Sequence, residues 1–181
     1  MKKDSPQMME HRNYEAALEV RTEGDGRTVV GIAVPYDVEQ RISPTIVEVF
    51  RKGVFRDVTR AANRVKLLFQ HKSDSPIGRA TMLEERDGGL YGEFRISKTE
   101  AGDEALELIR DGVLTNLSVG FQPLKDEKRN GVVNRMKAHL AEVSLVTFGA
   151  YGDAANIVAV RAEIIKPNLA SIEEIIKKVR A

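Results

Sequence analysis

Apolar residues in this chain alternate with polar ones at a period of two more often than they recur at the spacing of a helix, and this predicts strands. Thr28–Val34 reads Thr-Val-Val-Gly-Ile-Ala-Val, a buried strand stopped by Pro35. Over 65–71, Val65, Leu67, Phe69 and His71 share one strand face; Lys66, Leu68 and Gln70 share the other. Leu90–Ser97 sets Leu90, Gly92, Phe94 and Ile96 against Tyr91, Glu93, Arg95 and Ser97. Shorter or less regular strands are expected at Tyr14–Val20, Ile46–Phe50, 77–84, Asn116–Phe121 and within Val132–Thr147. Glu23-Gly24-Asp25-Gly26 and Asp87-Gly88-Gly89 are turn signals. Residues 35–45 and Lys72–Pro76 read as loops, and Lys125–Gly131 as a polar turn.

Helical spacing shows in three places. A short helix is expected over Phe55–Asn63. A longer one follows Thr99 or Ser97 as a cap: Ala101, Ala105, Leu108 and Ile109 form its stripe, and Gly112 closes it. At the far end, Ser171 with Glu174 makes a capping box ahead of Ile172, Ile175, Ile176 and Val179. Strands in succession, not alternating with helices, argue for a mainly β fold with flanking helices (α+β). The expected architecture is a small, largely antiparallel β-barrel of about seven strands. Residues 1–13 are polar and expected to be loose, 14–162 to form the folded domain, and 163–181 to be a linker and amphipathic helix.

Composition narrows the chemistry. The 181 residues are 42% hydrophobic and 30% charged, an ordinary globular balance. With 28 basic and 27 acidic residues, the net charge of +1 offers no field for general nucleic-acid binding. The absence of cysteine excludes disulfides, thiolate zinc sites and a cysteine nucleophile. Only three histidines are present, so a histidine-rich metal site is not expected. No apolar run approaches the ~18 residues of a membrane span. The first residues lack the apolar core of a secretory signal, and a cytoplasmic setting is expected.

Amide hydrolysis near neutral pH needs an activated nucleophile, a base and a group that orients the base. His71, where an apolar strand enters a polar loop, is a candidate base; it equally suits a histidine satisfied by a backbone carbonyl. Ser118 sits in Leu117-Ser118-Val119-Gly120-Phe121. It is a candidate nucleophile or simply a tolerated strand serine, and Gly120 would leave room beside it for a substrate backbone. Glu142 interrupts the apolar strand Leu140–Val146, where an unpaired carboxylate is costly. It would pair with His71 or with Arg135 or Lys137. By strand parity Leu140, Glu142, Ser144 and Val146 share a face, and His139 lies on the other. His11 falls in the loose N-terminal stretch.

Taken together, several segments resemble the HK97-type phage prohead protease family. They are Phe50-Arg51-Lys52-Gly53-Val54-Phe55; Leu67-Leu68-Phe69-Gln70-His71 with Pro76-Ile77-Gly78-Arg79; Leu117–Phe121; and Leu140-Ala141-Glu142-Val143-Ser144-Leu145-Val146-Thr147. The resemblance covers roughly residues 15–161. It implies a barrel similar to herpesvirus assemblin and a serine endopeptidase, homodimeric by the same likeness. Such an enzyme cleaves scaffold or capsid-precursor segments, and often itself, inside the immature capsid in a bacterial cytoplasm. It implies no membrane, nucleic-acid, metal or cofactor partner. His71 matches the family's catalytic histidine and Ser118 its nucleophile. Glu142 stands where assemblins carry a second histidine, with Asp74 as the alternative third member. Gly149 and its neighbours are candidates for oxyanion donation. The C-terminal helix, 171–181, falls outside the resemblance; a self-cleavage stump, a docking helix or the remnant of a scaffold fusion would each suit it. A second possibility is a catalytically inactive assembly or scaffold-binding module on the same barrel. An unrelated esterase lacks support, for there is no Gly-x-Ser-x-Gly elbow.

Overall fold

The computed structural model describes residues 9–15, 18–22 and 24–147. These all belong to one compact unit. The described strands are β1 (Glu10–Glu15), β2 (Glu19–Arg21), β3 (Thr28–Pro35), β4 (Gln40–Ser43) and β5 (Ile46–Phe50), then β6 (Lys66–Phe69), β7 (Lys72–Arg86), β8 (Gly89–Ile96), β9 (Asn116–Arg129) and β10 (Val132–Val146). The helices are α1 (Arg56–Thr59) and α2 (Glu100–Arg110), with a 3-10 turn at Ala62–Arg64. The strands make one sheet in the order β1-β9-β10-β6-β7-β8-β3-β2, curled into a half-barrel; β4 pairs with β5, and β5 with β10. The mainly β, largely antiparallel expectation holds. The described residues contain ten strands where about seven were expected, because several predicted loops continue as sheet. Residues 40–43 and 72–76 are examples.

The hairpins follow from turn chemistry. Asn130 and Gly131 both take positive φ, 52° and 80°, so a two-residue turn joins β9 to β10. This makes the two strands a single long ribbon. In α2 the Thr99 side chain accepts a hydrogen bond from Gly102 N (3.2 Å). At the other end Gly112, at φ +71°, donates to Ile109, and Val113 donates to Leu108. The buried stripe of α2 is Gly102, Ala105, Leu106 and Ile109. Ala101, expected inside, is exposed: a Cβ on Gly102 would meet the Ser97 carbonyl at 2.2 Å, so the helix presents its glycine to the sheet.

The core fills one side of the sheet. Leu67, Ile77, Leu90, Phe94, Ile96, Leu117, Val119, Phe121, Leu140, Val143 and Leu145 are almost wholly buried there. Burying such side chains contributes about 1.5–3 kcal/mol each. One ionic cluster joins them. Glu48 of β5 has no exposed surface, and its carboxylate takes both Arg12 of β1 and Arg135 of β10. The two guanidinium groups lie 5.4 and 5.6 Å from the centre of the Phe121 ring. The cluster ties the edge strand β1 to the middle of the sheet.

Candidate active site

The face of β1, β9 and β10 turned away from this core carries the candidate residues. Ladder partners share a sheet face, and β9 and β10 pair Ser118 with Ser144 and Gly120 with Glu142. β1 adds Asn13 opposite Ser118 and His11 opposite Gly120. One extra residue, Ala141, separates Leu140, partner of Phe121, from Glu142, partner of Gly120. This bulge corrects the simple parity expected for β10: Leu140 faces the core while Glu142 and Ser144 face away. It also brings His139 onto the face of Glu142. His139 nevertheless lies farther along the strand, in a groove lined by Asp57, Arg64, Leu124 and Ala141, and not with the other histidines.

His71 reaches the same place from a tight turn. The strand expected over 65–71 ends at Phe69, because Phe69 pairs directly with Lys72. Gln70 and His71 form the two-residue connection, with φ of 54° and 58°. Such a turn normally uses Asn-Gly, and holding two side-chain-bearing residues in it is strained. Three bonds hold it: Gln70 N donates to the Leu145 carbonyl (2.9 Å), Gln70 Nε2 to Thr147 Oγ1 (2.6 Å), and His71 N to Ser144 Oγ (3.2 Å).

The imidazole is thereby set against the carboxylate. His71 Nδ1 lies 2.8 Å from Glu142 Oε1. Ser144 Oγ donates to Glu142 Oε2 at 2.7 Å. An ionised carboxylate only accepts, so opposite one Nδ1 is the donor, and in a neutral ring that leaves the lone pair on Nε2. Nε2 is buried and, among the described residues, has no hydrogen-bond partner. A Cβ on Gly120 would come within 2.5 Å of Glu142 Oε1. The space expected to admit substrate beside Gly120 is therefore taken by the Glu142 carboxylate.

Ser118 is fully buried, and its Oγ donates to the Arg12 carbonyl at 3.2 Å. Asp74, the alternative partner for His71, is exposed in the irregular stretch where Leu68 pairs with Pro76 and Phe69 with Lys72. Among the described residues it makes no hydrogen bond or ion pair with His71. Gly149 and the expected C-terminal helix lie outside the described residues. The structure thus brings His71 and Glu142 into direct contact and places Ser118 on the face of Glu142, two ladder pairs along from it.

Two residues of the cluster were not singled out in the sequence. Ser144 bridges Glu142 and the His71 backbone; its parity with Glu142 was the available signal. His11 lies inside a segment expected to be loose, yet the chain is already a strand at Glu10. Its Nδ1 is 3.3 Å from Glu142 Oε1, and its ring meets His71 edge-on with centroids 4.2 Å apart. Partial burial, then the adjacent His71, push the His11 pKa below its ordinary value, while Glu142 opposes them.

The caudovirus prohead serine protease family matches residues 16–167. This chain belongs to that family. Among solved structures it is similar to the bacteriophage T4 capsid assembly protease, gp21, with a TM-score of 0.51 at 13% identity. The alignment covers 76% of this chain and 98% of that one, a likeness of fold. No curated protein matches the chain. Membership of the prohead protease family supports a role in phage capsid maturation.

Proposed function

We propose that this chain is an active serine endopeptidase in which Ser118 is the nucleophile, His71 its base and Glu142 the group that orients the base. The observation that carries the reading is the His71 imidazole: a carboxylate holds Nδ1, leaving a buried Nε2 lone pair without a partner. An imidazole held in this tautomer is ready to accept a proton from a hydroxyl. In this reading the Ser118 hydroxyl leaves the Arg12 carbonyl, to which it now donates, and turns to Nε2. Ser118 Oγ then attacks the scissile carbonyl as its proton passes to His71. Glu142 stabilises the imidazolium, which returns the proton to the leaving amine. Water repeats the sequence to release the acyl group. Oxyanion donation is assigned to backbone N–H groups near Gly149 on the strength of the family resemblance.

The substrates of this reading are scaffold or major-capsid precursor segments, and the chain itself, inside an immature capsid in a bacterial host. A homodimer is part of it; membrane and nucleic-acid partners are not. No helix among the described residues is long and apolar enough to cross a membrane.

Intact mass over time tests the reading, with wild type beside Ser118→Ala and His71→Ala, each mixed with scaffold or capsid precursor. Discrete fragments are expected from wild type alone, with rates falling by more than about 10³-fold in either variant. Cleavage by Ser118→Ala at the wild-type rate rejects the nucleophile. If wild type cleaves nothing even at high concentration, the fold serves as an assembly or scaffold-binding module instead.

A further inference from the structure

We propose that His11, His71 and Glu142 form a binding site for a divalent cation of the zinc class, and that its occupation switches the proteolytic centre off. The inhibitory half rests on the catalytic reading above; the binding half does not.

The three side chains each offer one ligand atom, and these atoms all lie within 4.8 Å of one another. Two imidazole nitrogens and one carboxylate oxygen are a common donor set for zinc, with a fourth position left to water. Bonds of about 2.0–2.1 Å in a tetrahedron put neighbouring ligand atoms about 3.3–3.5 Å apart. His11 Nδ1 and Glu142 Oε1 already stand 3.3 Å apart. His71 Nδ1 and Glu142 Oε1, at 2.8 Å, need only a small opening. Glu142 has one oxygen to spare for an ion because Ser144 fixes the other, as the outer partner of a ligating carboxylate does. The way in is open: His11 lies on the edge strand β1, and its side chain is 44% exposed. Imidazole ligands favour zinc, copper or nickel over magnesium and calcium.

Inhibition follows from proton placement. A metal on His71 Nδ1 replaces the N–H···O bond to Glu142, and the single proton of the neutral ring moves to Nε2. The lone pair that would accept the Ser118 proton is then absent, and Glu142 Oε1 is engaged by the ion. No bond to substrate is made or broken, so removal of the ion restores the original tautomer.

The test uses the purified full chain, stripped with chelator and titrated with Co²⁺, then Zn²⁺. One Co²⁺ per chain should bind with the intense visible bands of a four-coordinate site, and Zn²⁺ should displace it. His11→Gln and Glu142→Gln, shown to be folded by circular dichroism, should each bind more than about tenfold more weakly. Ser118→Ala and His139→Gln should bind as wild type does. Zn²⁺ should stop cleavage by wild type, chelator should restore it, and His11→Gln should need more than tenfold more Zn²⁺ for the same loss. No saturable binding, or equal affinity in His11→Gln, overturns the site. Cleavage that persists at full occupancy overturns the inhibition. Wild type that binds the ion yet cleaves nothing in chelator supports the site and rejects the protease reading.

Discussion

Gly120 gives the sharpest test of how Glu142 is held. A Cβ at this position would lie 2.5 Å from Oε1, 3.0 Å from Cγ and 3.1 Å from Cδ of Glu142. Ordinary contact begins near 3.4 Å, so Oε1 must withdraw by 3.4 − 2.5 = 0.9 Å. Taken along the 2.8 Å bond to His71, that shift leaves about 3.7 Å, beyond hydrogen-bond range. A misplacement of about 1 Å in a catalytic array costs about 10²-fold, or roughly 2.7 kcal/mol of transition-state stabilisation. The expected result for Gly120→Ala is therefore a fall of about 10²-fold in kcat/KM for precursor cleavage. Stability should change much less. Overpacking costs about 1–3 kcal/mol, partly offset by the ~0.5–1 kcal/mol gained when a strand glycine becomes alanine. Initial rates and thermal melts on the same samples separate the two effects. In a Glu142→Ala background the same change should cost nothing further, since the displaced carboxylate is gone. A Gly120→Ala enzyme within threefold of wild-type kcat/KM would refute this account of Glu142.

Three other perturbations probe the surroundings. Ser144→Ala removes the donor to Glu142 Oε2 and the acceptor for His71 N; a loss of about 10–100-fold in kcat is expected, and an unchanged rate would leave Ser144 without a positioning role. His11, with a folded pKa below the usual 6.5, binds fewer protons folded than unfolded once pH falls through that value; the protein should then lose stability on acidification. With chelator present, wild type should therefore lose more melting temperature between pH 7.5 and 5.5 than His11→Gln does; equal losses would contradict the shift produced by burial and by His71. Glu48→Gln leaves Arg12 and Arg135 without their buried counter-charge; urea unfolding should show a loss of about 3–5 kcal/mol, and a loss below 1 kcal/mol would mean that water reaches the cluster.

The sequence carried the strands whose burial alternates cleanly, 28–34 and 90–97 among them, because one buried face imposes a period of two. It also carried the helix at 100–110, whose cap and closing glycine are both local signals. What it concealed was tertiary. The irregular stretch at 73–75 reads as a loop because its polar residues keep no period, yet the strand continues through it. Ala141 has no local signature as a bulge, so the faces of β10 on either side of it were assigned by the wrong parity. Residues 10–13 appeared loose because Arg12, a charged residue on an inward face, breaks the apolar alternation. Its partner Glu48 is 36 residues away. His71, Ser118 and Glu142 stood out through their joint resemblance to a family. Their mutual geometry depends on β6, β9 and β10 meeting, which no local window contains.

The turn at Gln70–His71 shows how the fold converts strain into position. Two non-glycine residues in the left-handed region cost about 1–3 kcal/mol each. An extended His71 would avoid that cost but would continue the line of β6, since successive strand residues point to alternate faces. The turn instead folds the chain back after Phe69, where Leu145 O, Ser144 Oγ and Thr147 Oγ1 meet its donors. All three acceptors belong to the segment that also carries Glu142. The residues that stabilise the strained turn are therefore continuous with the residue that orients its imidazole. A change in β10 that loosened one would misplace the other, and the spacing from Glu142 to Thr147 carries a constraint that the hydrophobic pattern of the strand does not express.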